Sequence, residues 1–410
     1  MDRTGDHSIG RTVAERLCGT QHGYEFNSRI EAFVFEKTKF VGGQRRKTGI
    51  ADEIDGCDAH LNVSPSVKYG EAKIASQGYI TIRISEKCTM TGNAFFRVEE
   101  ASIADIHVAY KKGVANANSV TQSFLDRIEA YDRKGPALWT IVVANPNAIS
   151  DADALDEHFE KTGQFVGPLH GIPVLVKDNY DVAGLQTTGG SASLIGWVPE
   201  HDATVVKKLK TAGAIVLAKT TMSEWARGGF DNINSVLPSF ARNPYNTAHA
   251  TGGSSGGTAA GLAASFGVVG LGSDTWGSIR NPSSINALVG LRPSRALVSR
   301  TGMIGLYDAR DVSGPMARTV TDLVALLDVI AGVDEADPAT AEAKGHIAET
   351  YTTYLDPNGA HGKRIGVLRQ AFPPEASDPF VTSLLDQAIE DLRTAGAVVI
   401  DPFIVPEFAE

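Results

Sequence analysis

From about residue 95 onward, short apolar runs alternate with amphipathic stretches of helical period. That alternation restricts the chain to an α/β fold around a largely parallel or mixed sheet. Ser102-x-x-Asp105 has the form of a capping box and predicts a short helix ending near Gly113. Ser119-x-x-Gln122 predicts the start of a second, with Val120, Phe124, Leu125, Ile128 and Tyr131 on one face. Strands are expected at Trp139–Val143, Ile172–Val176, Ile215–Ala218, Val268–Gly272, Ile365–Leu368 and Val398–Ile400. Further helices are expected at Asn147–Lys161, Ala203–Thr211, Thr319–Ile330 and Pro379–Thr394. The architecture these imply is a single large domain, residues 91–410, with a central mixed, mostly parallel β-sheet flanked by helices.

Residues 1–90 read as a separate extension. Ile80, Ile82 and Ile84 alternate with Thr81 and Arg83 as in a strand, and Glu31 to Phe40 reads as another. Gly42 to Lys47 looks like a turn followed by a solvated basic patch. No site chemistry is found there, and a small β-rich appendage and a poorly ordered extension both fit. Lys and Arg number 38 against 48 Asp and Glu, a net charge of −10. This acidic balance argues against a nucleic-acid or membrane-surface partner held by a basic face. Apolar runs fall far short of the roughly 18 residues a membrane span needs, and the segment from Met1 to His7 lacks the apolar core of a signal peptide. The cytoplasm is the expected compartment. The three cysteines, Cys18, Cys57 and Cys88, all precede residue 91. Beyond them a thiol nucleophile, a Cys-bound metal and a disulfide framework are excluded.

Glycine is enriched, 42 of 410, and many glycines fall between Gly228 and Gly290. The densest stretch is Thr251-Gly252-Gly253-Ser254-Ser255-Gly256-Gly257-Thr258. A phosphate loop would need a Gly-Lys-Ser/Thr ending, and no lysine is present. Gly252-x-Ser254-x-Gly256 matches a nucleophile elbow on letters, but the preceding Arg242 to Thr247 reads as a loop where an elbow needs a strand. A plain Gly/Ser-rich connection is the remaining reading. A second segment differs: the apolar run Val268 to Gly272 leads into Ser273-Asp274-Thr275-Trp276-Gly277-Ser278-Ile279-Arg280. Here a serine follows a strand through a tight turn whose amides could converge on one oxygen, as an oxyanion hole requires. In a third segment Lys177 ends the apolar run Ile172 to Val176. A lysine at the carboxyl end of a buried strand sits where α/β sheets place their ligands, and burial favours its neutral, base-competent form.

Together, in this order and at this separation, the three segments resemble the amidase signature family of serine hydrolases, from about Val98 to Val398. Gly167 to Asp178, Thr187-Thr188-Gly189-Gly190-Ser191, Lys219 to Trp225, Arg242-Asn243-Pro244-Tyr245 and Gly314-Pro315-Met316-Ala317-Arg318 agree with it. Within the family the chain looks similar to the simple amidases, including peptide amidases and aryl acylamidases. The resemblance implies an amide hydrolase in which Ser278 is the nucleophile, Ser254 a bridging serine held by a cis peptide bond, and Lys177 the base. It implies an oxyanion hole from the amides of Thr275, Trp276, Gly277 and Ser278. Ser255 and Gly253 would support the triad, and Asp274 and Arg280 would hold the loop. Such a Ser-Ser-Lys relay needs no histidine, metal or cofactor, so His170 and His249 are read as structural. The implied partner is a small-molecule amide substrate, and a homodimer is left open.

Two departures stand out. Trp276 occupies a place where the family usually has a small residue; its side chain must turn outward or narrow the pocket. Residues 1–90 have no counterpart in the family core, and members normally continue well past the Val398 strand, so the C-terminal part of the family fold is expected to be missing. Two other functions share these motifs: the amidotransferase component that supplies ammonia for tRNA-dependent amide synthesis, and a catalytically impaired remnant of the fold.

Overall fold

The computed structural model describes residues 73–74, 80–81, 96–227, 237–373 and 375–408. The chain divides into two units, Met1–Gly92 and Asn93–Glu410. In the first, β1 (Lys73–Ile74) pairs antiparallel with β2 (Ile80–Thr81). Ile82, Ile84, the strand expected over Glu31 to Phe40 and the basic patch lie outside the described residues.

The second unit carries helices on a six-stranded sheet. In chain order its elements are α1 (Ile103–Lys111), α2 (Ala117–Tyr131), β3 (Ile141–Ala144), α3 (Ala148–Thr162), β4 (Pro173–Lys177), α4 (Thr204–Thr211) and β5 (Ile215–Thr220). Then follow α5 (Gly256–Ala263), β6 (Val269–Asp274), α6 (Arg280–Ile285), β7 (Val289–Gly290), β8 (Val312–Ala317) and α7 (Val320–Ile330). The strand order is β3-β5-β4-β6-β8-β7. The sheet is mixed as expected, but its parallel pairing is confined to the centre, where β4 lies between β5 and β6. The β3–β5, β6–β8 and β7–β8 pairs are antiparallel, so the expectation of a mostly parallel sheet is corrected. The physical reason lies in the connections. β8 is entered at the end where β6 stops, Val312 opposite Asp274, without the net crossover that parallel neighbours need. Beyond this sheet, β9 (Arg364–Gly366) and β10 (Val398–Ile400) form a two-stranded parallel ladder connected through α8 (Pro379–Thr394).

Strands β4, β5, β6 and β8 are buried along their whole length, which explains why the first three read as unbroken apolar runs. Two local expectations shift. The second helix is capped by Asn116, whose side chain accepts from the Ser119 amide while Ser119 reaches back, so Ser119 is the third helical residue and not the cap. The strand expected from Trp139 begins at Ile141, because the Asp132 carboxylate captures the Thr140 amide (2.6 Å).

Two elements were not legible. Gly256 to Thr258, the end of the stretch for which a Gly/Ser-rich connection was one reading, open the helix α5, buried from Gly256 to Leu262. Its glycines serve close packing: a Cβ on Gly257 would lie 2.5 Å from Thr221 N and 2.8 Å from Thr140 O. β8 contains Gly314-Pro315, which ordinarily argues against an interior strand. The Pro315 carbonyl accepts from Leu291 N–H (3.2 Å), so the missing amide faces away from β6, where β7 pairs only as far as Met316.

Candidate active site

Three chain segments meet at the carboxyl ends of β4 and β6. Lys177, the last residue of β4, has no solvent exposure. Its Nζ lies 2.7 Å from Ser254 Oγ, 2.8 Å from Ser273 Oγ and 3.4 Å from Ser273 O. Burial pushes the Lys177 ammonium down to about 7, against the pull of the Asp274 and Asp311 carboxylates. Ser254 follows a cis peptide bond from Gly253 and is buried. Its neighbours are tied on both sides: Gly253 N–H donates to Asn281 Oδ1 (3.0 Å), and Ser254 O accepts from Ser223 N–H (3.2 Å). Ser255 N–H donates to Ser278 O (3.2 Å), joining the start of α5 to the turn between β6 and α6. The Ser255 hydroxyl donates to Ser273 O (3.2 Å). Ser278 is buried with 8% of its surface exposed, and among the described residues it meets the other two segments through that backbone bond to Ser255.

Asp274 organises the turn. Its buried carboxylate accepts from the amides of Gly277 (2.8 Å), Ile279 (3.1 Å) and Arg280 (3.4 Å), and pairs with the guanidinium groups of Arg280 (3.1 Å) and Arg292 (3.3 Å). Burial alone would raise the Asp274 carboxyl, but the Arg280 and amide donors hold it below the ordinary carboxylate range. One expectation is thereby corrected. The Gly277 amide is spent on Asp274 and does not face an incoming oxygen. The amides of Thr275, Trp276 and Ser278 have no acceptor among the described residues. Trp276 turns outward: it is 52% exposed, stacks on Tyr307 at 6.0 Å between centroids, and carries the Arg310 guanidinium 5.8 Å from its ring centre.

Sequence reasoning missed three polar residues here. Ser273 takes the Lys177 amine and receives Asn179 Nδ2–H (3.1 Å), while Asn179 also donates to Ile304 O (3.0 Å). Asp311 accepts from the Thr275 hydroxyl and from the amides of Leu306 (2.6 Å) and Tyr307 (2.8 Å), locking the 304–307 loop to the turn after β6. The adjacency of Ser273 to Asp274 was a usable signal for the first; nothing local marks Asp311. His170 and His249 stand apart from the cluster. His170 precedes β4 at the strand end opposite Lys177, stacks on Phe165 at 4.8 Å, and is pushed down to about 4 by burial and by His107 and His158. His249 lies in a loop where its backbone bonds Asn243 and Asn246.

Known proteins are similar to this chain over most of its length. The family model described as amidase matches residues 119–410. A probable amidase of Arabidopsis thaliana is 37% identical over 76% of this chain and 59% of its own length. A glutamyl-tRNA(Gln) amidotransferase subunit of Carboxydothermus hydrogenoformans is 39% identical over 72% of this chain and 59% of its own. Among solved structures, the native peptide amidase of Stenotrophomonas maltophilia is 42% identical with a TM-score of 0.69, over 75% of this chain and 63% of that one. The chain therefore spans about three fifths of the length of these relatives.

Proposed function

The chain belongs to the amidase family, and on that footing we propose that it hydrolyses a small-molecule carboxylic amide through an acyl-enzyme on Ser278, with Ser254 and Lys177 as the proton relay. One observation carries the reading: a wholly buried lysine amine, poised near neutrality, 2.7 Å from the hydroxyl of Ser254. A neutral amine has two N–H bonds and one lone pair. Ser273 Oγ and O receive the N–H bonds, and the lone pair is left for the Ser254 proton.

Lys177 Nζ takes the proton of Ser254 as Ser254 takes that of Ser278, whose Oγ attacks the amide carbon. The negative charge that develops on the carbonyl oxygen is met by the amides of Thr275, Trp276 and Ser278. As the C–N bond breaks, the relay returns its proton to the departing nitrogen. Water then repeats the sequence and frees the carboxylic acid. Asp274 and Arg280 shape the turn, while Ser255 and Gly253 hold the two serine segments in place.

A fluorophosphonate probe followed by peptide mapping should label Ser278, and Ser278→Ala should abolish both labelling and hydrolysis in a screen of short aliphatic amides, anilides and peptide amides. A label on Ser254, or a folded chain that takes no label, overturns the assignment; the latter outcome is that of a catalytically impaired remnant. The 36–39% identity to several glutamyl-tRNA(Gln) amidotransferase subunits supports a second reading, ammonia supply within a complex. Glutaminase activity that appears only with partner subunits would select it.

A further inference from the structure

On the face of the sheet turned away from α5 lies a second buried lysine that the relay does not use. Lys177 and Thr220, paired across β4 and β5, face the α5 side, where they meet Ser254 and Thr258. Their chain neighbours Asp178 and Lys219 point the other way, as alternation requires. Lys219 Nζ lies 3.0 Å from Asp178 Oδ1, and neither side chain has any solvent exposure. Lys219 also donates to Thr187 Oγ1 (2.7 Å), and Asp178 Oδ2 accepts from the Thr188 amide (3.1 Å) and hydroxyl.

The contacts continue from this pair to the catalytic cluster. Gly189 N–H donates to Asp178 O (3.0 Å), and Trp225 N–H donates to Gly189 O (2.8 Å). Ser191 Oγ donates to Glu224 Oε1 (2.7 Å). Gly190 approaches residues 222–224 so closely that a Cβ would lie 3.0 Å from Met222 O and 3.2 Å from Glu224 Cα. Ser223, in the segment thus clamped, donates its amide to Ser254 O (3.2 Å). A buried ion pair is a poor source of stability, since apolar residues of similar volume often serve as well or better. What an apolar pair would lack is the set of directed bonds to Thr187 and Thr188.

We propose that Asp178 and Lys219 are a positioning pair: they clamp residues 187–191 onto residues 222–225 and thereby fix the backbone from which Ser254 is aimed at Lys177. The kinetic part of this proposal rests on the Ser278–Ser254–Lys177 reading; the clamp itself does not.

The test uses the full chain and two charge-free double variants. Asp178→Leu with Lys219→Met removes both charges and the directed bonds. Its melting temperature should stay near wild type, while the amides of Thr188, Gly189, Ser223 and Trp225 exchange with deuterium at least about tenfold faster than in wild type and those of β4 and β6 do not change. With an amide substrate, kcat should fall about a hundredfold and KM should stay within about twofold. Asp178→Asn with Lys219→Met keeps an acceptor for the Thr188 amide, and should recover the exchange protection and most of kcat. Wild-type exchange rates in the Leu/Met variant overturn the clamp. Faster exchange with unchanged kcat overturns its link to Ser254, and unfolding of both variants overturns the positioning role, the pair then being needed for the fold itself. If the wild-type chain turns over no amide, the hydrolase reading fails while the exchange data still decide the clamp.

Discussion

Lys177→Met keeps the apolar stem but removes the amine of a side chain that ends, fully buried, between Ser254 and Ser273. An unfolded lysine titrates near 10.5, and in the folded chain burial brings the group to about 7. Between those values the unfolded chain holds a proton that the folded chain has released, so unfolding takes up a proton and folded-state stability rises with pH. The cost of burying Lys177 is therefore fully present below pH 7 and fades as pH climbs toward 10.5. At about 1.4 kcal/mol per pH unit, a gap of about 3.5 units amounts to about 5 kcal/mol. Methionine removes that cost but strands the hydroxyl of Ser254, at about 1–3 kcal/mol, while Ser273 keeps its bond from Asn179. The two effects oppose each other near neutrality, and only the first depends on pH. The informative quantity is thus the change in the wild-type-minus-variant difference. Urea unfolding of both proteins at pH 7.5 and 9.5 should show wild type gaining about 2.5 kcal/mol on the variant across that interval. Parallel pH dependences would mean that Lys177 is protonated in the folded chain, and would refute its assignment as a neutral base.

The same titration should appear in catalysis, with kcat/KM rising through about pH 7 as the free enzyme's lysine loses its proton; Lys177→Arg should be inactive across the range, because a guanidinium stays protonated. Asp274→Asn removes the charge opposite Arg280 and Arg292 and turns an amide N–H₂ toward loop amides that need an acceptor; a loss of about 3 kcal/mol, read by thermal melting, should accompany loss of Ser278 labelling. Gly257→Ala should yield no folded protein, since its Cβ would meet the backbone of Thr221 and Thr140. By contrast, Gly113→Ala, with open space but φ +64°, should cost about 1 kcal/mol by the same melting assay.

The features legible before the fold is known are local in origin. The capping box at Ser102 and Asp105 appears as expected, because both of its bonds span three residues. The central strands β4, β5 and β6 were legible from unbroken apolar runs, and Lys177 was legible as the polar end of one of them. The serine segments were legible through their spacing and their likeness to a known family. Contacts between distant segments were not legible. That Ser273 receives the Lys177 amine and that Asp311 reaches Thr275 both depend on the register of β6 against β4 and β8. The helix α5 and the strand β8 were hidden for a related reason: glycine and proline weaken local propensity, and close packing on Thr221 and Thr140 and pairing with β6 override it. Periodicity and capping are written within a few residues of chain, whereas the partners of a buried amide or carboxylate are chosen by whichever strands the fold brings side by side.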